Sequence, residues 1–231
     1  MKTTIFIVIL LFTNLLYAQS FEETKQLAEQ GNADAQLLLG KKYSQGDGTE
    51  QDYKKALYWF KKSAEQGNVD AQFLLALMYD GIKGNVQDKK QAFYWYKKSA
   101  KQGDADAQYC LASMYEKGNG TRQDYKKAFY WYKKSAKQGN ADAQLSLALM
   151  YSKGIGLKKN YEQAFYWYKK SAEQGIAGAQ YNLGLMYYTG VGTSVDKSKA
   201  AFWIKKAKDN SDEEIRQLAE NLWEKFKLWK Y

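Results

Sequence analysis

Apolar and polar positions along this chain trace two helical stripes, and the pair recurs every 36 residues. In the first stripe Ala35, Leu39 and Tyr43 fall on one face at i, i+4 and i+8. Asn32 stands ahead of it as an N-cap, and Asp34 places negative charge in the first turn. The second stripe runs from Tyr53 to Gln66, with Ala56, Trp59 and Phe60 at i, i+3 and i+4. Asp52 precedes it, and Asp88, Asp124, Asn160 and Asp196 stand at the equivalent places, each with an oxygen for orphan N–H groups. Gly67, like Gly31, Gly103, Gly139 and Gly175, marks the end of a helix that needs a left-handed residue. Gly46-Asp47-Gly48 is the turn between the two helices. No segment alternates with period two, so no strand is expected.

The unit is thus a helix–turn–helix, and Trp59, Trp95, Trp131, Trp167 and Trp203 mark five copies. Small residues recur at Gly40, Ala76, Ala112, Ala148 and Gly184, where a larger side chain would hold the paired helices apart. One hairpin cannot bury its apolar face alone, but a stack can, with the Trp series filling the space between copies. The ends read as caps. Lys25, Ala28, Gln30 and Gly31 align with Lys61, Ala64, Gln66 and Gly67, so the chain enters on a lone second helix. Residues 212–231 leave the repeat and read as an amphipathic helix with Ile215, Leu218, Leu222 and Phe226 on one side. The resulting plan is a leader at 1–18, an N-terminal capping helix at 19–31, five repeats at 32–211 and a C-terminal capping helix at 212–231.

Composition narrows the chemistry. The chain has no proline, no histidine and one cysteine, so the usual zinc, haem and catalytic-dyad arrangements lack their side chains. Proline-free sequence also suits uninterrupted helix. The leader has the order of a secretory signal: Lys2, then the apolar run Ile5 to Phe12, then Leu15-Leu16-Tyr17-Ala18, with cleavage placed after Ala18. The run is short for a membrane span, so an exported chain, periplasmic or secreted, is expected rather than an anchored one.

The motif Ala-x-x-x-Leu-Gly-x-x-Tyr-x-x-Gly-x-Gly, followed by Asp-x-x-Lys-Ala-x-x-Trp-x-x-Lys-x-Ala-x-x-Gly, resembles the Sel-one-like repeat, a relative of the tetratricopeptide repeat. The first copy carries it as Ala35, Leu39, Gly40, Tyr43, Gly46, Gly48, Asp52, Lys55, Ala56, Trp59, Lys62, Ala64 and Gly67. The second copy departs from it, with Ile82 in place of the first loop glycine. The resemblance implies an all-α, right-handed α/α superhelical solenoid of five 36-residue helix–turn–helix repeats with terminal capping helices. It also implies an adaptor role in protein complexes, often in secreted bacterial proteins.

A catalytic reading has one foothold. A secreted branch of that family, the Helicobacter cysteine-rich proteins, is linked to penicillin binding and weak β-lactamase activity. Those relatives carry paired cysteines in each repeat, whereas this chain has Cys110 alone. Ser194-Val195-Asp196-Lys197 fits the Ser-x-x-Lys string of penicillin-recognising enzymes. A chain this rich in lysine carries such a string by chance, and no Lys-Thr-Gly or Ser-Asp-Asn accompanies it. No catalytic residue, cofactor or metal site is therefore assigned. Cys110 reads as a half-buried filler, with a free thiol for intermolecular pairing as the sharper alternative.

Two surfaces are candidates for binding. Second helices are near copies: Asp52–Gly67 and Asp124–Gly139 agree at 13 of 16 positions. First helices vary more, and by analogy with tetratricopeptide arrays they line a concave groove for a peptide or protein. The candidate groove residues are Leu37, Phe73, Tyr109, Leu145 and Tyr181, beside Lys41, Leu77, Ser113, Leu149 and Leu185. Several are apolar enough to belong to the core instead. The net charge of +10 concentrates in a ladder of lysine pairs on the second helices: Lys61 and Lys62, Lys97 and Lys98, Lys133 and Lys134, Lys169 and Lys170, Lys205 and Lys206. That ladder is either a solvated face whose stems cover aromatic rings or a ridge for an anionic envelope surface. Nucleic acid is not expected for an exported chain, and a monomer is expected.

Overall fold

The computed structural model describes residues 20–81 and 87–231. The leader at 1–18 and the departure at Ile82 lie outside them. The described residues hold twelve α-helices and a terminal 3-10 turn, with no strand beyond an isolated bridge between Asp80 and Gln87. They divide into two compact units, one ending at Gln102 and one starting at Gly103.

The N-terminal unit contains α1 (Phe21–Glu29), α2 (Ala33–Gln45), α3 (Tyr53–Glu65), α4 (Val69–Tyr79) and α5 (Lys89–Lys101). The C-terminal unit contains α6 (Ala105–Lys117), α7 (Tyr125–Lys137), α8 (Ala141–Lys153), α9 (Tyr161–Glu173), α10 (Ala177–Thr189), α11 (Lys197–Lys208) and α12 (Glu213–Lys225). Within each unit every helix packs on its neighbours in sequence, so each is an α/α solenoid stack. The caps are those the spacing predicts. Asn32 Oδ1 accepts from Ala35 N–H at 2.9 Å, and Asp52 Oδ1 accepts from Lys54 and Lys55 N–H at 3.0 and 2.9 Å. Asp88, Asp124, Asn160 and Asp196 do the same for α5, α7, α9 and α11. Second helices stop where Gly67 turns left-handed at φ +96°, and its four equivalents do likewise.

The core explains the small-residue series. Gly40 lies so close to α3 that a Cβ there would sit 2.6 Å from the Phe60 ring. A Cβ on Gly184 would meet Ile204 at 2.7 Å. Ala76, Ala112 and Ala148 fill the equivalent places and are fully buried. The helices of a hairpin therefore approach as closely as their smallest side chains allow.

A polar seam runs through this apolar core. Gln36, Gln72, Gln108, Gln144 and Gln180 are buried on first helices. Gln36 donates from Nε2 to the Ala28 carbonyl at 3.1 Å and accepts at Oε1 from Gln66 at 2.8 Å. Gln144 repeats this with Ala136 and Gln174. Ser63, Ser99, Ser135 and Ser171, also buried, donate to the carbonyls of Ala33, Val69, Ala105 and Ala141. These bonds span the joints between successive helices and give the buried glutamine and serine side chains partners, as second bonds to carbonyls such as that of Ala28, which also accepts from Gly31 N–H.

The C-terminal cap differs from its expectation in two respects. Ala219, not Leu218, completes the inward stripe of α12: Ala219 is fully buried and Leu218 is 42% exposed. The period of 3.6 favours 215, 219, 222 and 226, and leaves 218 on the outer edge. The helix also ends at Lys225. Lys227 adopts a left-handed φ of 51°, and a 3-10 turn, Leu228–Lys230, tucks Leu228 under the helix. Leu228 joins Ala201, Ile204, Ala207 and Ala219 in a small closing core.

Candidate functional site

Apart from Leu37, which the core takes in, the predicted first-helix series consists of side chains that the hairpin core leaves half covered. In the N-terminal unit Leu37 is buried, while Lys41, Phe73 and Leu77 are half-buried. The Phe73 ring packs on Tyr96 of α5, centroids 6.0 Å apart, so it leans inward. A cleft of about 90 Å³ opens between the repeats, lined by Lys41, Ser44, Gln45, Phe60, Leu74 and Met78. Lys41, Ser44 and Gln45 set polar side chains beside the apolar Phe60, Leu74 and Met78. Leu74 belongs to the position that reads as filler in the sequence, the one Cys110 occupies in the next copy. Its equivalents Leu38, Cys110, Ser146 and Asn182 are half-buried too, so this position joins the face.

In the C-terminal unit Tyr109, Ser113, Leu145, Leu149, Tyr181 and Leu185 are all half-buried. Tyr109 packs against Tyr132, centroids 5.8 Å apart. Tyr132 donates its hydroxyl to Glu116 Oε2 at 2.7 Å, and burial with that carboxylate holds its phenol far above the usual range. Burial also raises the Tyr109 phenol, helped by Asp142. Both rings stay neutral and act as rigid amphipathic surface. Leu145 reaches toward Gly178 on the next first helix. Tyr181 packs against the closing core under α12, which leaves less of it for a partner than the groove series implies.

The second-helix face carries the lysine pairs. All of Lys61, Lys62, Lys98, Lys133, Lys134, Lys169, Lys170, Lys205 and Lys206 are exposed, and Lys97 is half-buried. Their stems do cover rings: Lys62 Nζ lies 5.7 Å from the Tyr58 ring centre, and Lys98 lies 5.0 Å from that of Tyr94. The sequence reading missed the outer rings themselves. Tyr58 and Tyr94 stand half exposed beside Trp59 and Trp95, edge to face. Their signal is an aromatic residue directly before each repeat tryptophan.

The Ser-x-x-Lys string is not assembled as a catalytic pair. Ser194 is exposed in the loop before α11. Lys197 Nζ instead donates to the Tyr231 hydroxyl at 3.2 Å, and that bond raises its pKa. Cys110 is half-buried. Among the described residues no group of three His, Cys, Asp or Glu side chains is placed to hold a metal ion.

Comparison with known proteins identifies the repeat. The Sel1 repeat model matches residues 33–68, 69–104, 105–140, 141–176 and 177–212. No curated protein matches the sequence. Among solved structures, a protective antigen present in uropathogenic Escherichia coli strains, with an SLR fold, superposes with a TM-score of 0.83 at 38% identity. That match covers 89% of this chain and 44% of the antigen, so this chain spans less than half of its length. A Sel1 repeat protein from Oxalobacter formigenes superposes with a TM-score of 0.76 at 34% identity, covering 82% of this chain and 78% of that one.

Proposed function

The chain belongs to the Sel1 repeat family, whose members are generally protein-interaction scaffolds, and on that footing we propose that it is an exported scaffold that holds a peptide or protein partner on its first-helix face. The leader sequence supports export: Lys2, the Ile5–Phe12 run and Ala18 have the order that secretion machinery reads. One observation carries the binding reading. Half-buried aliphatic and aromatic side chains gather along the first helices and differ from copy to copy, while the second helices α3, α5, α7 and α9 stay close to one another in sequence. A varied, partly apolar surface on packed helices is what a specific partner requires, with tyrosine as the favoured anchor. The cleft at Lys41 and Leu74 adds a charged contact beside an apolar pocket.

The test is capture of partners from an envelope extract by the purified chain, compared with folded variants. Leu149→Glu, Leu185→Glu and Tyr109→Glu place charge on half-buried positions of α8, α10 and α6. A partner retained by the parent and lost by these variants supports the reading. Equal capture by parent and variants overturns it.

A further inference from the structure

The second helices of the C-terminal unit display a face that partner binding on the first helices leaves unused. On α7 the Tyr130 ring stands edge to face with Trp131, centroids 5.0 Å apart, and Lys134 Nζ lies 5.0 Å from the Tyr130 centroid and 5.3 Å from that of Trp131. On α11 Phe202 and Trp203 repeat the pair at 5.1 Å, with Lys206 Nζ 5.1 Å from the Phe202 centroid. On α9 Tyr166 and Trp167 lie 4.9 Å apart. Core packing accounts for the tryptophans but not for the outer rings, since Tyr130, Tyr166 and Phe202 remain 50%, 48% and 52% exposed.

The three helices carry these groups at equivalent positions of successive hairpins. Gln138 and Gln174 donate to the carbonyls of Gly103 and Gly139 at 2.9 Å each, and Asn210 donates to that of Gly175 at 3.1 Å. Each second helix thus meets its hairpin with the same geometry, and equivalent side chains share a face. Six exposed lysines accompany the rings: Lys133, Lys134, Lys169, Lys170, Lys205 and Lys206. Among the described residues only Lys169 of the six meets a carboxylate, Glu173, at 4.0 Å.

We propose that this face seats the protein on an anionic phospholipid surface. Aromatic rings with polar or cationic neighbours are the chemistry of the membrane–water boundary, and clustered lysines are drawn to acidic headgroups. A polysaccharide stacking its sugars needs an open ring face, and Lys134 and Lys206 already lie over Tyr130 and Phe202. Headgroups need only aromatic surface and ammonium groups, and the Tyr130, Tyr166 and Phe202 rings and the six lysines are exposed. Among the described residues no helix is long and apolar enough to cross a membrane.

The test is flotation of the full chain with vesicles of phosphatidylcholine alone or mixed with phosphatidylglycerol, at low and high salt. A charge variant carries Lys133→Gln, Lys134→Gln, Lys169→Gln, Lys170→Gln, Lys205→Gln and Lys206→Gln. A ring variant carries Tyr130→Ser, Tyr166→Ser and Phe202→Ser. The parent is expected to prefer the anionic vesicles, with a preference that falls as salt rises. The charge variant should lose at least about tenfold of that preference, and the ring variant should lose part of it, both with unchanged circular dichroism. If either variant fails to fold, the exposed pair Lys133→Gln and Lys134→Gln alone should still give a graded loss. Equal capture by both vesicle types, or a preference kept by the charge variants, overturns the proposal. So does binding to soluble heparin with none to vesicles, which would assign the face to a polyanion instead.

Discussion

Asn210 stops one methylene short of the buried Gln180 side-chain oxygen. In the four preceding copies a glutamine closes this contact: Gln66 on Gln36, Gln102 on Gln72, Gln138 on Gln108 and Gln174 on Gln144, at 2.8 to 2.9 Å. Asn210 reaches the Gly175 carbonyl at 3.1 Å, and among the described residues Gln180 Oε1 has no partner. Asn210→Gln should therefore restore the missing bond and raise stability by about 1 kcal/mol. The reciprocal change, Gln174→Asn, should strand the Gln144 oxygen and cost about 1–3 kcal/mol. Urea unfolding of the two variants reads both signs. Two unchanged midpoints would mean that the seam contributes nothing.

Two glycines of α10 should respond oppositely to the same substitution. A Cβ on Gly184 would meet Ile204 at 2.7 Å and its backbone nitrogen at 3.1 Å, so α10 and α11 must separate to admit it. Gly184→Ala should cost about 1–3 kcal/mol through overpacking. A Cβ on Gly178 would find Leu145 at 3.6 Å, an ordinary contact, and the helical backbone there suits alanine. Gly178→Ala should gain about 0.5–1 kcal/mol by removing glycine's unfolded-state freedom. Thermal unfolding of the pair decides it, and the same sign in both would refute the packing account.

The contrast between the seam and the helices marks how far sequence alone reaches. Caps and stops are local, so Asp52, Asp196 and Gly67 announce their helices through spacing and residue type. Gly40 and Gly184 announce close packing because nothing else explains small residues at that period. Gln36 announces nothing, since a glutamine in a helix reads as solvent-facing. Its burial depends on the Ala28 carbonyl of the preceding helix and on Gln66 beyond the turn, which only the fold brings together. The same holds for Tyr181: its series looks open along the repeats, yet the closing core beneath α12 takes part of its surface. The outer rings at Tyr58 and Tyr130 were present in the sequence as a periodic signal but merged with the tryptophans beside them.

The Ser-x-x-Lys string should prove inert. A serine nucleophile of that class needs its lysine within reach and able to take a proton. Lys197 is turned to the Tyr231 hydroxyl, and that bond favours its charged form. Hydrolysis of a chromogenic cephalosporin should stay at background and should not change with Ser194→Ala. Turnover that vanishes in this variant would establish a catalytic role that the geometry does not provide.

Stability should fall at both ends of the pH scale, through different residues. Burial, together with the bond to Glu116, raises the Tyr132 phenol, and burial raises those of Tyr168 and Tyr151. Unfolded phenols ionise near pH 10, whereas the folded ones keep their protons longer, so the folded state binds more protons above about pH 10. Stability is therefore full below that point and declines as pH rises past it. At the acid end Asp52, Asp124 and Asp196 are held below the ordinary carboxylate range, chiefly by hydrogen bonds from Lys55, Lys127 and Lys199. The stability they add is present above about pH 4 and is lost as pH falls through their folded values. Asn160 caps α9 without titrating. Asp124→Asn should accordingly flatten the acid limb and leave the alkaline one intact. Tyr132→Phe should flatten the alkaline limb, and at neutral pH it should cost about 1.5–3 kcal/mol because Glu116 loses its donor. Urea midpoints measured by circular dichroism from acid to alkaline pH separate the two limbs, and a variant that altered the limb opposite to its own would refute the assignment.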